Sequence, residues 1–88
     1  MGTLGDRVKL ARITAGYNTP EMCSSIAGLG STTVRRWEDG ASEPSASALR
    51  DFCELTKTSA DWILGLSTKR GIQETNQISL SKRYFGRE

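Results

Sequence analysis

Residues 18–40 contain the glycine, proline and capping signals that most restrict how this chain can fold. Thr19 can act as an N-cap, Pro20 suits the first position of a helix, and Glu21 suits the positively polarised first turn. Two glycines within residues 28–30 then interrupt the helical pattern and favour a tight turn. The segment therefore predicts two short helices joined by a glycine turn.

The second of these helices, at about 31–39, has two different sides. Val34 and Trp37 lie three apart and are expected to face the core. Either Gly30 or Ser31 can cap this helix. Its outward side chains are expected to be Thr32, Thr33, Arg35 and Arg36. A short helix, a glycine turn and a helix with a polar, basic outer side are typical of a helix-turn-helix that enters the major groove of DNA.

Apolar spacing predicts a helix before this segment and an apolar face within it. The first helix carries residues at the i, i+4, i+7, i+11 spacing of a buried stripe, namely Leu4, Val8, Ala11 and Ala15. Met22 and Ile26 lie four apart and predict the apolar face of the second helix, at about 19–27.

Two more helices are expected after the loop that contains Pro44. Ser45 is a good cap for a fourth helix that ends near Thr56, and Ser59 is a good cap for a short fifth helix. Residues 62–66, WILGL, are more apolar than a single buried face requires. They either complete the core or provide a surface for dimerisation.

Together these patterns predict an all-α domain of five short helices over residues 1–66, followed by a non-helical tail over residues 67–88. Part of the tail, QISLSKRYF, alternates apolar and polar residues and is weakly strand-like. A lone strand is not stable in water. The tail is therefore disordered or loosely docked, pairs with a second subunit, or forms an arm that touches DNA.

The charge is distributed unevenly along the chain. Residues 1–66 hold seven lysines and arginines against eight acidic residues, whereas residues 67–88 hold five against two. The helical part is therefore not a general polycation, and DNA binding there must depend on locally placed groups. The basic tail would add salt-sensitive, non-specific attraction.

The residue types also exclude several classes of function. The sequence has two cysteines, Cys23 and Cys53, and no histidine, whereas a zinc site needs about four ligands. We therefore expect no metal, no cofactor and two reduced core thiols in a cytoplasmic protein. No apolar run reaches the ~20 residues that span a bilayer, and the N-terminus lacks a secretory signal. No nucleophile–base set is present, so no catalytic residues and no enzyme activity are predicted.

Three motifs in the correct order carry a resemblance to a known family. They are LGDRVKLARITAGYNTPEM, then TTVRRWEDG, and, after a proline-containing loop, TSADWILGL. With them, residues 4–66 resemble the lambda-repressor-like family of phage and bacterial regulators, also called the Cro/repressor or XRE type. The resemblance implies a five-helix DNA-binding domain and does not cover the tail.

The resemblance also implies which side chains meet double-stranded DNA. The N-terminal part of the third helix would enter the major groove. The residues at base-contacting positions are Ser31, Thr32, Arg35 and Arg36, with Arg35 within reach of a base or a phosphate. The residues at phosphate-contacting positions are Asn18, Thr19 and Thr33, of which Thr19 is also a cap.

The family pattern further implies a buried ion pair between Arg12 and Glu38. A bidentate arginine–carboxylate contact would fix the angle as well as the distance between the first and third helices. The alternative is that both residues are solvated surface charges of little energetic importance.

Two departures from the family pattern affect the expected mode of binding. The turn at residues 27–30 is one residue longer than usual, so the side chains that reach bases can differ by one position from those named above. The loop at residues 41–43 carries Glu43 where the family often has basic residues. A single subunit should therefore bind weakly, which favours a homodimer on an inverted repeat with half-sites ~34 Å apart. The alternative function is an antitoxin-like or adaptor-like module that uses the same fold to bind a protein.

Overall fold

The computed structural model describes residues 2–72, which form five helices and no strand. The helices are α1 (Leu4–Thr14), α2 (Pro20–Ile26), α3 (Thr33–Glu38), α4 (Ala46–Thr56) and α5 (Ala60–Ile63). The predicted all-α class is therefore confirmed for these residues. The other residues, Met1 and 73–88, lie outside the described part, and the predictions for the tail fall mostly there.

Short polar side chains begin four of the five helices. In α1, Thr3 accepts a hydrogen bond from the Asp6 backbone at 3.0 Å and the Asp6 carboxylate accepts one from the Thr3 backbone, which together form a capping box. The predicted caps Thr19, Ser45 and Ser59 each accept a backbone hydrogen bond in the first turn of their helix. Caps are local features, and for this reason the sequence predicted Thr19, Ser45 and Ser59 correctly, whereas the Thr3 cap was missed.

The five helices bury one apolar core. Its buried members are Val8, Ala11, Cys23, Val34, Trp37, Leu49, Phe52, Cys53, Trp62 and Ile63. The rings of Trp37 and Phe52 meet edge to face, with centroids 5.8 Å apart. Since Val34 and Trp37 belong to this core, α3 is held from one side, as predicted.

Two of the predicted apolar stripes are wrong in part. Ala15 lies at the exposed C-terminal end of α1, and Arg12 is the buried residue of that turn instead. In α2, Met22 and Ile26 are exposed, whereas Pro20, Cys23 and Ser24 face the interior. The reason is that α1 and α3 pack against the Cys23–Ser24 side of this short helix, a choice that spacing alone does not determine.

The apolar residues around α5 divide into two groups. Trp62 and Ile63 complete the core, whereas Leu64 and Leu66 are 50% and 75% exposed. The chain after α5 returns to the helices, because the Ser59 backbone N–H donates to the carbonyl of Arg70 at 2.6 Å. Thr58 and Gly71 form an isolated antiparallel bridge at the same place.

Candidate nucleic-acid interface

The candidate interface is the solvent-facing side of α3 together with the start of α2. Ser31, Thr32, Arg35 and Arg36 are exposed, and Thr33 is half-buried. Directly behind them, Val34 and Trp37 are buried in the core. The four residues predicted to contact bases are therefore all open to solvent.

Helix α3 begins later than the sequence predicted. It starts at Thr33, so Ser31 and Thr32 lie in the turn before it rather than in its first turn. Neither Gly30 nor Ser31 is the N-cap, which is Thr32, and the Thr32 side chain makes no capping hydrogen bond. A hydrogen-bonded turn accounts for this shift, since the Thr33 N–H closes onto the Gly30 carbonyl before the helix begins.

A side chain of α2 takes the place of a local cap. The hydroxyl of Ser24, which is fully buried, accepts a hydrogen bond from the backbone N–H of Val34 at 3.0 Å. This contact satisfies one of the unpaired N–H groups that open every helix. Sequence reasoning missed Ser24, and the available signal was a small polar residue next to Cys23 on the buried side of α2.

The ion pair between Arg12 and Glu38 sets the orientation of α3 relative to α1. Arg12 Nε lies 2.6 Å from one carboxylate oxygen of Glu38 and Arg12 Nη2 lies 3.2 Å from the other. The two side chains are only 5% and 8% exposed. A third donor, Nη1, reaches the carbonyl of Tyr17 at 2.8 Å. The predicted pair is therefore present, bidentate and buried.

Gly5 allows α1 and α3 to approach each other closely. A Cβ atom added at Gly5 would lie 2.5 Å from the carbonyl oxygen of Glu38 and 2.8 Å from that of Trp37. Real side-chain carbons do not come so close to backbone oxygens, so glycine is required here. The last turn of α3 is thus fixed by backbone contact as well as by the ion pair.

A second ion pair, which the sequence analysis missed, lies on the open surface. Arg35 in α3 contacts Glu21 in the first turn of α2 through Nε and through Nη2, the latter at 3.1 Å. The hydrogen bond from Arg35 lowers the pKa of the Glu21 carboxyl, and the same bond raises the pKa of Arg35. Both groups are therefore charged at neutral pH.

The start of α2 presents the other predicted contact residues to solvent. Asn18 and Thr19 are exposed. The Thr19 hydroxyl accepts a hydrogen bond from Met22 N–H at 3.1 Å, which is its capping role. A hydroxyl that accepts still has its own O–H to donate, so capping leaves Thr19 able to contact a phosphate.

Arg36 differs from Arg35 in having no partner for its side chain within residues 2–72. Among residues 2–72, no hydrogen bond or ion pair involves its guanidinium group. Its five donors are free to meet a ligand. Nearby acidic groups, at Asp39 and Glu43, are also exposed, so the surface combines an exposed arginine with local negative charge.

The described residues hold neither a cluster of metal-ligating side chains nor a helix that could span a membrane. Within residues 2–72 no group of three or more histidine, cysteine or acidic side chains is placed to hold a metal ion. In the same part of the chain, every helix is too short or too polar to cross a membrane. Comparisons with protein-family models, with curated proteins and with solved structures found no match to this chain.

Proposed function

We propose that this protein is a sequence-specific regulator that binds double-stranded DNA, with a lambda-repressor-like helix-turn-helix domain of the phage or bacterial type. The observation that carries the proposal is the two-sided character of α3. Val34 and Trp37 anchor it in the core, while Arg35 and Arg36 face solvent together with the turn before it. A helix anchored in this way can enter a major groove without disturbing its own support.

The exposed groups suit the chemistry of base edges. An arginine can donate two hydrogen bonds to O6 and N7 of guanine, and no group in the described part of the chain, residues 2–72, binds the guanidinium of Arg36. Ser31 and Thr32 have hydroxyls that can donate or accept, so they would discriminate less strongly. Asn18, Thr19 and Thr33 are the proposed phosphate contacts, which would position the helix without reading sequence.

We also propose that the active form is a homodimer. Exposed carboxylates at Asp39 and Glu43 would repel the DNA backbone, so a single subunit would bind DNA weakly. Two linked subunits on an inverted repeat would combine their binding free energies. Leu64 and Leu66, exposed beside α5, are the candidate contacts between subunits. Sedimentation that finds a monomer both free and on DNA would contradict this part.

The decisive experiment is selection of bound duplexes from a random DNA pool, followed by sequencing. We expect an enriched inverted repeat with half-sites about one helical turn apart. In gel shifts on that site, Arg36→Ala should weaken binding by about tenfold or more, since a bidentate guanine contact contributes ~1–3 kcal/mol of discrimination. Arg50→Ala removes the same charge from an exposed position on α4 and is the matched control. No enriched sequence, or equal effects of the two variants, would overturn the proposal.

A second candidate function is an antitoxin-like or adaptor-like module that binds a protein. The exposure of Leu64 and Leu66 is the observation that favours it, because apolar side chains grouped at a surface often mark protein contacts. If the random pool yields no enriched site, this candidate is preferred. It would then require a defined partner whose binding is lost in Leu66→Asp and retained in Arg36→Ala.

A further inference from the structure

The ion pair between Glu21 and Arg35 joins the two helices of the proposed DNA-binding unit at their open surface. The partners are 14 residues apart in the chain, and their side chains are 43% and 52% exposed. Exposed pairs of this kind contribute little to folding stability. Folding stability therefore does not explain this contact. Its position on the candidate interface suggests a role in binding DNA.

The geometry of the pair leaves one edge of the arginine open. A guanidinium group has five N–H donors in one rigid plane. Glu21 occupies the side edge, formed by Nε and one hydrogen of Nη2. The end edge consists of Nη1 and the second hydrogen of Nη2, and it has no partner among residues 2–72. Two parallel donors at that edge match the O6 and N7 acceptors of guanine in the major groove.

We propose that Glu21 is a positioning residue that holds Arg35 for two-point recognition of a guanine at one position in each half-site; this inference rests on the proposed DNA-binding function. The carboxylate fixes the plane of the guanidinium group before DNA arrives. Less side-chain freedom is then lost on binding. The ionised state of both partners at neutral pH, described above, is the state that this arrangement requires.

The same carboxylate should reduce binding to the wrong DNA. Its negative charge offsets that of Arg35, so the pair as a whole attracts phosphates weakly. Arg35 would therefore contribute to affinity mainly where a guanine is present to accept its hydrogen bonds. Removing the Glu21 charge should increase non-specific affinity while it lowers discrimination at that base, a combination that general loss of folding does not produce.

The test is selection from a random DNA pool with four proteins: the wild type, Glu21→Gln, Arg35→Ala and the control Glu54→Gln. Glu54 is exposed on α4, so its variant removes the same charge away from α2 and α3. We expect Arg35→Ala to lose guanine preference at one position of each half-site. Glu21→Gln should reduce the guanine preference at that same position about tenfold and leave the base preferences at the other positions unchanged. Glu54→Gln should match the wild type at every position.

Binding to a duplex without the selected site provides the second readout. Glu21→Gln should bind it more tightly, and the dependence of log affinity on log salt should steepen by about one. If Glu21→Gln keeps the guanine preference that Arg35→Ala loses, or if Arg35→Ala changes no position, the inference is overturned while the DNA-binding proposal stands. If the wild type enriches no sequence, both are overturned.

Discussion

The hydroxyl of Ser24 accepts a hydrogen bond from the backbone N–H of Val34 across 3.0 Å, in a place closed to solvent. Helix α3 has only six residues and no side-chain cap of its own. A helix of that length is not stable in isolation. Its first turn therefore depends on a residue of α2, and the two helices of the candidate interface are joined through the core as well as at the surface.

Ser24→Ala should lower the free energy of unfolding by about 1–3 kcal/mol, because it leaves the N–H of Val34 buried without an acceptor. Urea denaturation followed by circular dichroism would measure the loss. Ser25→Ala, at the next and exposed position of α2, is the matched control and should change stability little. Equal midpoints for the two variants would contradict the assigned role of Ser24.

Arg12→Ala should cost about 3–5 kcal/mol of folding free energy, because it leaves the Glu38 carboxylate buried and without its partner. The carbonyl of Tyr17 would lose a donor as well. Arg50→Ala is the control, since Arg50 pairs with Asp51 on the surface, where such pairs contribute ~0–1 kcal/mol. A denaturation midpoint for Arg12→Ala close to that of the control would show that the buried pair is not required.

Replacing both partners should be less damaging than the sum of the single changes. Arg12→Met combined with Glu38→Leu removes both charges, so no uncompensated ion remains in the interior. A double-mutant cycle measured by urea denaturation would give the coupling between the two residues. Additive losses would indicate that Arg12 and Glu38 act independently, contrary to the bidentate geometry.

Gly5→Ala should destabilise the protein by about 1–3 kcal/mol through overpacking against the carbonyls of Trp37 and Glu38. Helix propensity alone predicts the opposite sign, a gain of ~1 kcal/mol for alanine in place of glycine. Thermal denaturation would decide between these outcomes. Gly2→Ala is the control, because nothing lies within 4 Å of the added carbon there. A Gly5→Ala protein at least as stable as the wild type would refute the close approach of α1 and α3.

Both thiols should be unreactive in the folded protein at pH 8. Burial raises the pKa of Cys23 and of Cys53 from an ordinary 9.0 to about 11, and the thiolate is the reactive form. Labelling with a disulfide reagent should be slow under native conditions and rapid in denaturant. Native labelling at the unfolded rate would contradict this.

The same shifts set the sign of a pH effect on stability. Because the folded state favours the neutral thiol, its contribution is fully present below about pH 9 and is lost as the pH rises towards about 11. The free energy of unfolding should therefore fall over that range, and it should fall less in Cys53→Ala. An equal fall in both proteins would exclude Cys53 as a cause.

Particular residues show how far sequence reasoning reached at the candidate site. The sequence predicts that Val34 and Trp37 lie in the core and that Arg12 pairs with Glu38, and all of these are present. It predicts a start of α3 two residues before the observed one. The Glu21–Arg35 pair was missed, because its partners are 14 residues apart and meet only once α2 and α3 are packed. The predicted DNA contacts remain predictions.

The sequence by itself determined where most helices begin and end, because capping groups, proline and glycine act on the backbone within a turn of where they lie. The tertiary structure alone decided which faces were buried. It turned Cys23 and Ser24 inward, left Met22 and Ile26 in solvent, and placed Ser24 under Val34. Short helices have several sides apolar enough to be buried, and the choice between them depends on packing against elements distant in the chain.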